Sequence, residues 1–365
     1  MNRKKVIITS ACRTAIASFG KSLKNIPAHI LGSSVISESI NRSKILQEEI
    51  DEVIMGQVLT GGSGQNPARQ AAITSGIPNE KPAYVVNQVC GSGIRSVASG
   101  FQSIISGDSK IIIAGGQESM SLAPHMIHLR NGKKMGDDKL ADTRIKDGLW
   151  DAFNNYHMGT TAENVAEKFQ VTREEQDKFA FSSQKKTLKA QIENKFKDEI
   201  INFKIKSKNS EINFNKDEYP RDEISLESLL KLKPVFKHNG TVTAGNASSI
   251  SDGAAAVVVA NELAASEASN EPVARITGYA HAANEPGMLF DAPRLAVTNL
   301  LTKTGQSLDE FDLIEVNEAF AAQVLANGQA LHWDWDRVNL RGGAIALGHP
   351  IGASGARLVV TLIHA

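Results

Sequence analysis

Ala83-Tyr84-Val85-Val86-Asn87-Gln88-Val89-Cys90-Gly91-Ser92-Gly93 decides how this chain is read. Its first four residues have the apolar, β-branched character of a buried strand. From there Ile94, Val97, Ala98, Phe101, Ile104 and Ile105 recur at helical spacing. A cysteine in the turn between such a strand and helix faces unpaired N–H groups and the positive end of the helix dipole. Both favour thiolate, the nucleophilic form. The flanking glycines let a substrate approach the backbone closely. Alone this is weak evidence, because an isolated Cys is more often a small buried hydrophobe.

Two further segments have the wrong composition for a core. Asn317-Glu318-Ala319-Phe320 follows the strand-like Leu313-Ile314-Glu315-Val316. Gly342-Gly343-Ala344-Ile345-Ala346-Leu347-Gly348-His349-Pro350-Ile351-Gly352-Ala353-Ser354-Gly355 wedges a histidine among small residues just before a helix. Cysteine with distant histidine and asparagine is the recurring composition of an activated thiol nucleophile.

Outward from the Cys90 turn, residues 1–118 alternate strands (6–9, 52–58, 83–87, 110–114) with helices (29–40, 68–75, 93–106). That alternation predicts βαβ units and a largely parallel sheet. From about residue 272 the order repeats, with strands at 273–279, 311–316 and 337–340 and helices at 293–304, 319–331 and 353–364. Residues 119–250 differ in kind, being polar and irregular, with Asp/Lys clusters at 133–147 and a Lys/Asn-rich run at 194–218. Those charges read as solvated surface. Residues 254–260 resume the first half as its last strand.

Bulk properties narrow the function classes. The 365 residues carry 40 basic and 40 acidic side chains, so nothing points to nucleic acid or to a charged membrane surface. Cys12 and Cys90 are the two cysteines, which suits a reducing, cytoplasmic compartment rather than a disulfide framework. The start, Met1-Asn2-Arg3-Lys4-Lys5-Val6-Ile7-Ile8, is too short in apolar length for a signal peptide and reads as the first strand. No segment approaches a membrane span.

Together the Cys90, Asn317 and His349 segments resemble the thiolases, and most of all their biosynthetic acetyl-CoA acetyltransferase branch. The resemblance runs from Val6 to the last residue. It implies an α/β thiolase fold: duplicated βαβαβαββ halves with two five-stranded sheets, forming a five-layer αβαβα core. The halves would be 1–118 plus 251–271 and 272–365, with an inserted loop domain at 119–250 covering the site. The implied reaction is a ping-pong condensation of two acetyl-CoA to acetoacetyl-CoA and CoA, and its reverse, through an acetyl-Cys90 intermediate. His349 would move the protons. Asn317 would hold a water in the oxyanion hole for the enolate, and the backbone N–H of Cys90 would serve the other hole.

The same resemblance implies that His157 and Met158 line the pantetheine tunnel, with Met158 narrowing the pocket. Ala247 and Ser248, in Thr243-Ala244-Gly245-Asn246-Ala247-Ser248, would meet the pantetheine amides. Arg221 would lie near the adenine and phosphate, and Phe320 would pack on the acyl pocket. Glu318 would orient its neighbours. Coenzyme A enters as substrate, with no cofactor and no metal. Gly61-Gly62-Ser63-Gly64 lacks the ending of a phosphate-binding loop and belongs, by resemblance, to a subunit interface. A homo-oligomer, dimer or tetramer, is implied.

One departure sets a further expectation. By internal symmetry two strands are missing after the helix that runs to Ala365, and the family carries there a Cys-x-Gly-Gly-Gly turn with the second catalytic cysteine. Cys12 lacks that context and reads as structural. The chain is therefore expected to be a shortened thiolase with impaired condensation. The alternatives are a degradative 3-ketoacyl-CoA thiolase, or a silent CoA-binding or oligomerising relic.

Overall fold

In the computed structural model, which describes residues 5–207, 210–267 and 271–365, the chain builds one large mixed sheet. Met1–Lys4 of the basic start, 208–209 of the Lys/Asn-rich run and 268–270 near the end of the first half lie outside the described residues. The strands are β1 (Val6–Arg13), β2 (Ala17–Ser18), β3 (Glu52–Gly56), β4 (Ala83–Val86), β5 (Ile111–Ser119), β6 (Ser251–Asn261) and β7 (Ala274–Ile276). Their order is β7-β1-β6-β5-β3-β4, and β2 pairs with β6. The β5–β3 and β3–β4 ladders are parallel, whereas β6 runs antiparallel to both β1 and β5. β1 and β5 are buried throughout, and β6 is buried up to its last residue. Strands covered on both faces need near-continuous apolar runs, and Ile111-Ile112-Ile113-Ala114 and Ala254–Ala260 supply them. β5 also runs on through Gly115–Ser119, beyond the stretch 110–114 that its apolar residues mark.

Helices cover both faces. On one side α1 (Ala28–Ser43) and α2 (Pro67–Thr74) place Leu31, Val35, Ile36, Ala68 and Ala71 against Met55, Ile113 and Val258. On the other, α3 (Ser92–Ser106) and α8 (Ser354–Ile363) set Val97, Ile104, Ala356 and Val360 against Ile54, Ile112, Val257 and Val259. The apolar stripe read for α3 is only half right. Ile94 and Ile105 are exposed, and the buried face is Ser92, Gly93, Ser96, Val97, Gly100 and Ile104. Small residues turn inward there because α8 packs against the helix at backbone distance.

Between β5 and β6 lie α4 (Met158–Phe169), α5 (Arg173–Ile192) and an antiparallel hairpin of Phe203–Ser207 with Ser210–Phe214. Thr172 and Glu175 close a capping box at the start of α5. A buried ion cluster ties this region to the sheet. At the end of β1, Arg13 Nε donates to Glu199 Oε1 at 2.6 Å and Nη1 to Asp217 Oδ1 at 2.7 Å, all three side chains lying inside. Removing one partner would strand a charge in the interior.

The second half keeps its helices, α6 (Ala292–Thr304), α7 (Ala321–Leu331) and α8, but not a sheet of its own among the described residues. The strand read at 273–279 shortens to β7, which joins the outer edge of β1. Those read at 311–316 and 337–340 reduce to one parallel bridge between Ile314 and Val338. The first sheet shows why. These three segments correspond to β1, β3 and β4, and in the first sheet β6 and β5 stand between β1 and β3. Among the described residues no strand stands in for those two in the second half, so the ladder has no middle.

Candidate active site

Two strand–turn–helix units carry the chemistry. In the first, the turn after β4 is short: Gly91 N donates to Gln88 O and Ser92 N to Val89 O, each at 3.0 Å. Ser92 Oγ accepts from Gln88 N at 2.8 Å and donates to Val89 O at 2.6 Å. Val89 is held at φ +48°, a left-handed conformation uncommon for a β-branched residue, immediately before Cys90. The second unit runs from the bridge at Val338 through a single helical turn, Ala344–Leu347, to His349 and α8. Helices α3 and α8 then meet glycine against backbone. A Cβ on Gly93 would lie 2.5 Å from Ala356 N, and one on Gly355 2.4 Å from Ile94 N. Only glycine permits this approach.

The approach sets His349 Nε2 at 3.2 Å from Cys90 Sγ and 3.3 Å from Asn317 Nδ2. Asn317 Oδ1 is buried with no hydrogen-bond partner among the described residues. On the far side of the ring, Nδ1 lies 2.6 Å from Ser354 Oγ. Burial, with a smaller push from the Arg357 charge, lowers the His349 pKa to about 3. Burial, with a smaller push from the Glu118 charge, likewise raises the Cys90 thiol to about 12, the residue packing against the apolar cluster of Val58, Leu59, Met120 and Ile351. The thiolate favoured by a helix start is therefore not the resting state. Desolvation outweighs the dipole, and thiol faces neutral imidazole, so proton transfer accompanies attack. Cys12 is the other kind of cysteine, buried 3.4 Å from Val35 O and 3.3 Å from Ser39 Oγ, with its thiol raised to about 11.

Two buried carboxylates hold the loops. Glu318 accepts from Ser183 Oγ at 2.6 Å, Asn339 Nδ2 at 2.9 Å and Ile345 N at 3.2 Å, joining the Asn317 turn to α5 and to the His349 loop. Glu118, at the end of β5, accepts from the backbone N–H of Val58, Leu59 and Gly352 at 3.0, 3.2 and 2.9 Å. Burial raises it to about 7. Sequence reading missed Glu118. The signal was a polar run, Gln117-Glu118-Ser119, following directly on Ile111-Ile112-Ile113-Ala114 and Gly115-Gly116.

Four of the residues expected at the substrate converge. Met158, Ala247 and Phe320 share one apolar cluster with Phe236, Met288 and Phe290. His157, its pKa lowered by burial, stacks on Phe236 at 4.6 Å and caps α4 by accepting from Gly159 N at 3.0 Å. Ser248 N donates to Ala319 O at 3.0 Å, and Ser249 O accepts from His349 N at 3.0 Å. The segment 246–249 thus touches both the Asn317 and the His349 motifs. Arg221 stands apart. It is exposed, over the Tyr219 ring at 4.8 Å and bonded to the Tyr219 hydroxyl at 2.6 Å.

Comparison with known proteins agrees with this geometry. The thiolase N-terminal domain family matches residues 6–263, and the thiolase C-terminal domain family matches 270–365. The chain is 52% identical over 363 residues to an acetyl-CoA acetyltransferase of Rhizobium meliloti, spanning 100% of this chain and 92% of that protein. It is 52% identical over 361 residues to one of Pseudomonas aeruginosa, with 98% and 92% covered. The crystal structure of the Bacillus anthracis acetyl-CoA acetyltransferase superposes with a TM-score of 0.97 at 40% identity, covering 99% of this chain and 92% of that one.

Proposed function

Because the chain belongs to the thiolase family, we propose that it is an acetyl-CoA C-acetyltransferase working through an acetyl-Cys90 intermediate. The observation that carries this is the convergence of Cys90, His349 and Asn317 within 3.3 Å of one imidazole nitrogen. Cys90 Sγ attacks the thioester carbonyl of acetyl-CoA while its proton passes to His349 Nε2. The carbon–sulfur bond of the substrate breaks, and the leaving CoA thiolate takes that proton. The Cys90 backbone N–H stabilises the oxyanion, a contribution worth about 10²–10³ in rate. In the second half-reaction the thioester oxygen of another acetyl-CoA faces a water held by Asn317, because His349 Nε2 has given up its proton with the leaving CoA. Its methyl carbon loses a proton, the resulting enolate attacks the acetyl carbonyl, and the bond from that carbon to Cys90 Sγ breaks, so acetoacetyl-CoA leaves and the Cys90 thiolate takes up a proton.

That second step needs a base for the methyl proton, worth about 10²–10⁴. Cys12 is far inside the first half, so Cys90 is the one thiol that residues 1–365 bring to the site. For these residues assayed by themselves we therefore place acetyl transfer ahead of carbon–carbon bond formation. The aromatic and methionine walls around Phe320 favour short acyl groups, and Arg221 is assigned to the phosphate end of CoA. Self-association is supported by β4, which ends the sheet as an open edge with Tyr84, Val89 and Ile94 exposed beside it. A reducing cytoplasm suits two free thiols, and no helix among the described residues is long and apolar enough to cross a membrane.

The test incubates the chain and its Cys90→Ala variant with acetyl-CoA, following CoA release and the mass of the Cys90 peptide, and then assays acetoacetyl-CoA thiolysis. One equivalent of CoA with an acetylated Cys90, absent from the variant, is the expected result. No acetylation in the unmodified chain would refute the acyltransferase reading. Rapid thiolysis would refute the ranking of the two half-reactions.

A further inference from the structure

His349 has two ring nitrogens and, being neutral, one ring proton. Which nitrogen carries it decides whether Nε2 can act as a base toward Cys90. The neighbours on the other side of the ring settle the matter. Ser354 Oγ lies 2.6 Å from His349 Nδ1 and 2.9 Å from the carbonyl oxygen of Pro350. A carbonyl brings no hydrogen, and a serine hydroxyl brings one. If that hydrogen turned to the ring, Ser354 Oγ and Pro350 O would face each other lone pair to lone pair in a buried space. Pro350 O also accepts from the N–H of Ala353 and Ser354 at 2.9 Å, and the 2.9 Å approach of the hydroxyl oxygen is relieved of lone-pair repulsion when the hydroxyl donates to Pro350 O and Nδ1–H donates to the hydroxyl. Ser354 is 1% exposed and His349 6%, so solvent does not compete for either contact.

We infer that Ser354 is a positioning residue that fixes the proton of neutral His349 on Nδ1 and leaves Nε2 bare toward Cys90. The consequence reaches the third member of the site. A bare Nε2 accepts, so the nearest atom of the Asn317 amide must be its donor, Nδ2, at 3.3 Å. Asn317 Oδ1 is thereby turned away from the ring, and it is the atom left without a partner. One hydroxyl, which never touches substrate, thus sets the ring tautomer and through it the orientation of the amide. A neutral acceptor suits this role. It orients the ring without an adjacent negative charge that would trap the imidazolium formed during transfer. The tautomer stands independently of the acyltransferase reading; only its effect on rate rests on that reading.

The experiment uses the full chain labelled with ¹⁵N-histidine at neutral pH, recording two-bond ¹H–¹⁵N correlations for its nine histidines. His349 is assigned by its loss in His349→Asn. The expected pattern is a protonated Nδ1 and a bare Nε2. In Ser354→Ala the ring should change to the Nε2–H form, and Cys90 acetylation by acetyl-CoA should slow by about 10²-fold. Ser354→Thr, which keeps the hydroxyl, should restore both. An Nε2–H pattern in the unmodified chain overturns the inference. So does Ser354→Ala with unchanged tautomer or unchanged rate, or a failure of Ser354→Thr to restore the pattern. If acetyl-CoA acetylates none of the proteins, the acyltransferase reading fails while the spectrum still decides the role of Ser354.

Discussion

The turn at Asn87–Gly91 and the loop at Arg341–Ala353 hold the same place in the two halves, each between a strand-like segment and a helix that packs on the first sheet. They solve that connection differently. The first is short, largely exposed and strained at Val89. The second is long, buried almost throughout and anchored by Glu318 and Glu118. One delivers the nucleophile and the other the base. The lesson is that duplicated scaffolding supplies an approach geometry for nothing extra, while chemistry is written into the connections. The nucleophile's turn stays open for substrate to reach it, and the base's loop is sealed so that its ring stays neutral.

The sharpest way to break this comparison is to remove the base. His349→Ala should slow Cys90 acetylation by about 10²–10⁴-fold. It should also remove a pH dependence. A histidine held near 3 binds no proton in the folded chain at pH values where the unfolded one does, so stability falls as pH drops from about 6.5 towards 3. In His349→Ala that fall should be shallower in denaturation series across the window. In the unmodified chain, alkylation of Cys90 by iodoacetamide should keep rising with pH through 9 without a plateau, because its thiol lies near 12. A plateau near neutrality would mean a thiolate–imidazolium pair and would overturn the sealed-base account.

Gly93→Ala tests the geometry that both units share. The added methyl meets Ala356 N, so α3 and α8 must separate. The cost should be about 1–3 kcal/mol in chemical denaturation, with a loss of acetylation out of proportion to it. Glu118→Gln probes the carboxylate that ties the second loop, through Gly352, to the Val58–Leu59 backbone beside Cys90. An amide group presented to three backbone N–H donors loses at least one contact, costing about 1–3 kcal/mol, and the acetylation rate should fall while Cys90 alkylation by iodoacetamide rises, because the Glu118 charge helps hold that thiol up. Smallest is Val89→Gly, which relieves a strain of about 1–3 kcal/mol against a glycine entropy cost of about 0.5–1. A gain near 1 kcal/mol with slower acetylation would show that the strain holds Cys90 in its productive position.

Much of this was legible beforehand because local composition reported it. Cys90, Asn317 and His349 stood in glycine- and alanine-rich segments that no core would use, and the three do converge. The strands of the first half announced themselves through continuous apolar runs. What stayed hidden depends on distance in the chain. Whether a thiol ionises is a matter of what surrounds it, and the Cys90 turn says nothing of Met120 or Ile351. The outward Ile94 and Ile105 of α3 fitted a helical stripe, yet a partner helix at backbone distance selected the small face instead. Segments 311–316 and 337–340 have strand composition, but strand formation requires a neighbour, and among the described residues they bridge to each other alone. Glu118 stayed hidden because it lies past the apolar run 111–114, and its three backbone donors come from elsewhere in the chain.

The contact between Cys90 and His349 spans 259 positions of sequence. During synthesis the thiol emerges early and the imidazole late, so for most of its time on the ribosome the nascent chain displays a cysteine with no base beside it. An exposed thiol ionises more readily than the buried one held near 12, so what the nascent chain lacks is not thiolate but a base aimed at a bound thioester. Base-assisted acyl transfer becomes possible when α8 docks against α3, the same event that finishes this face of the core. The chain thereby carries its own proofreading: chemistry begins only in a copy that has folded.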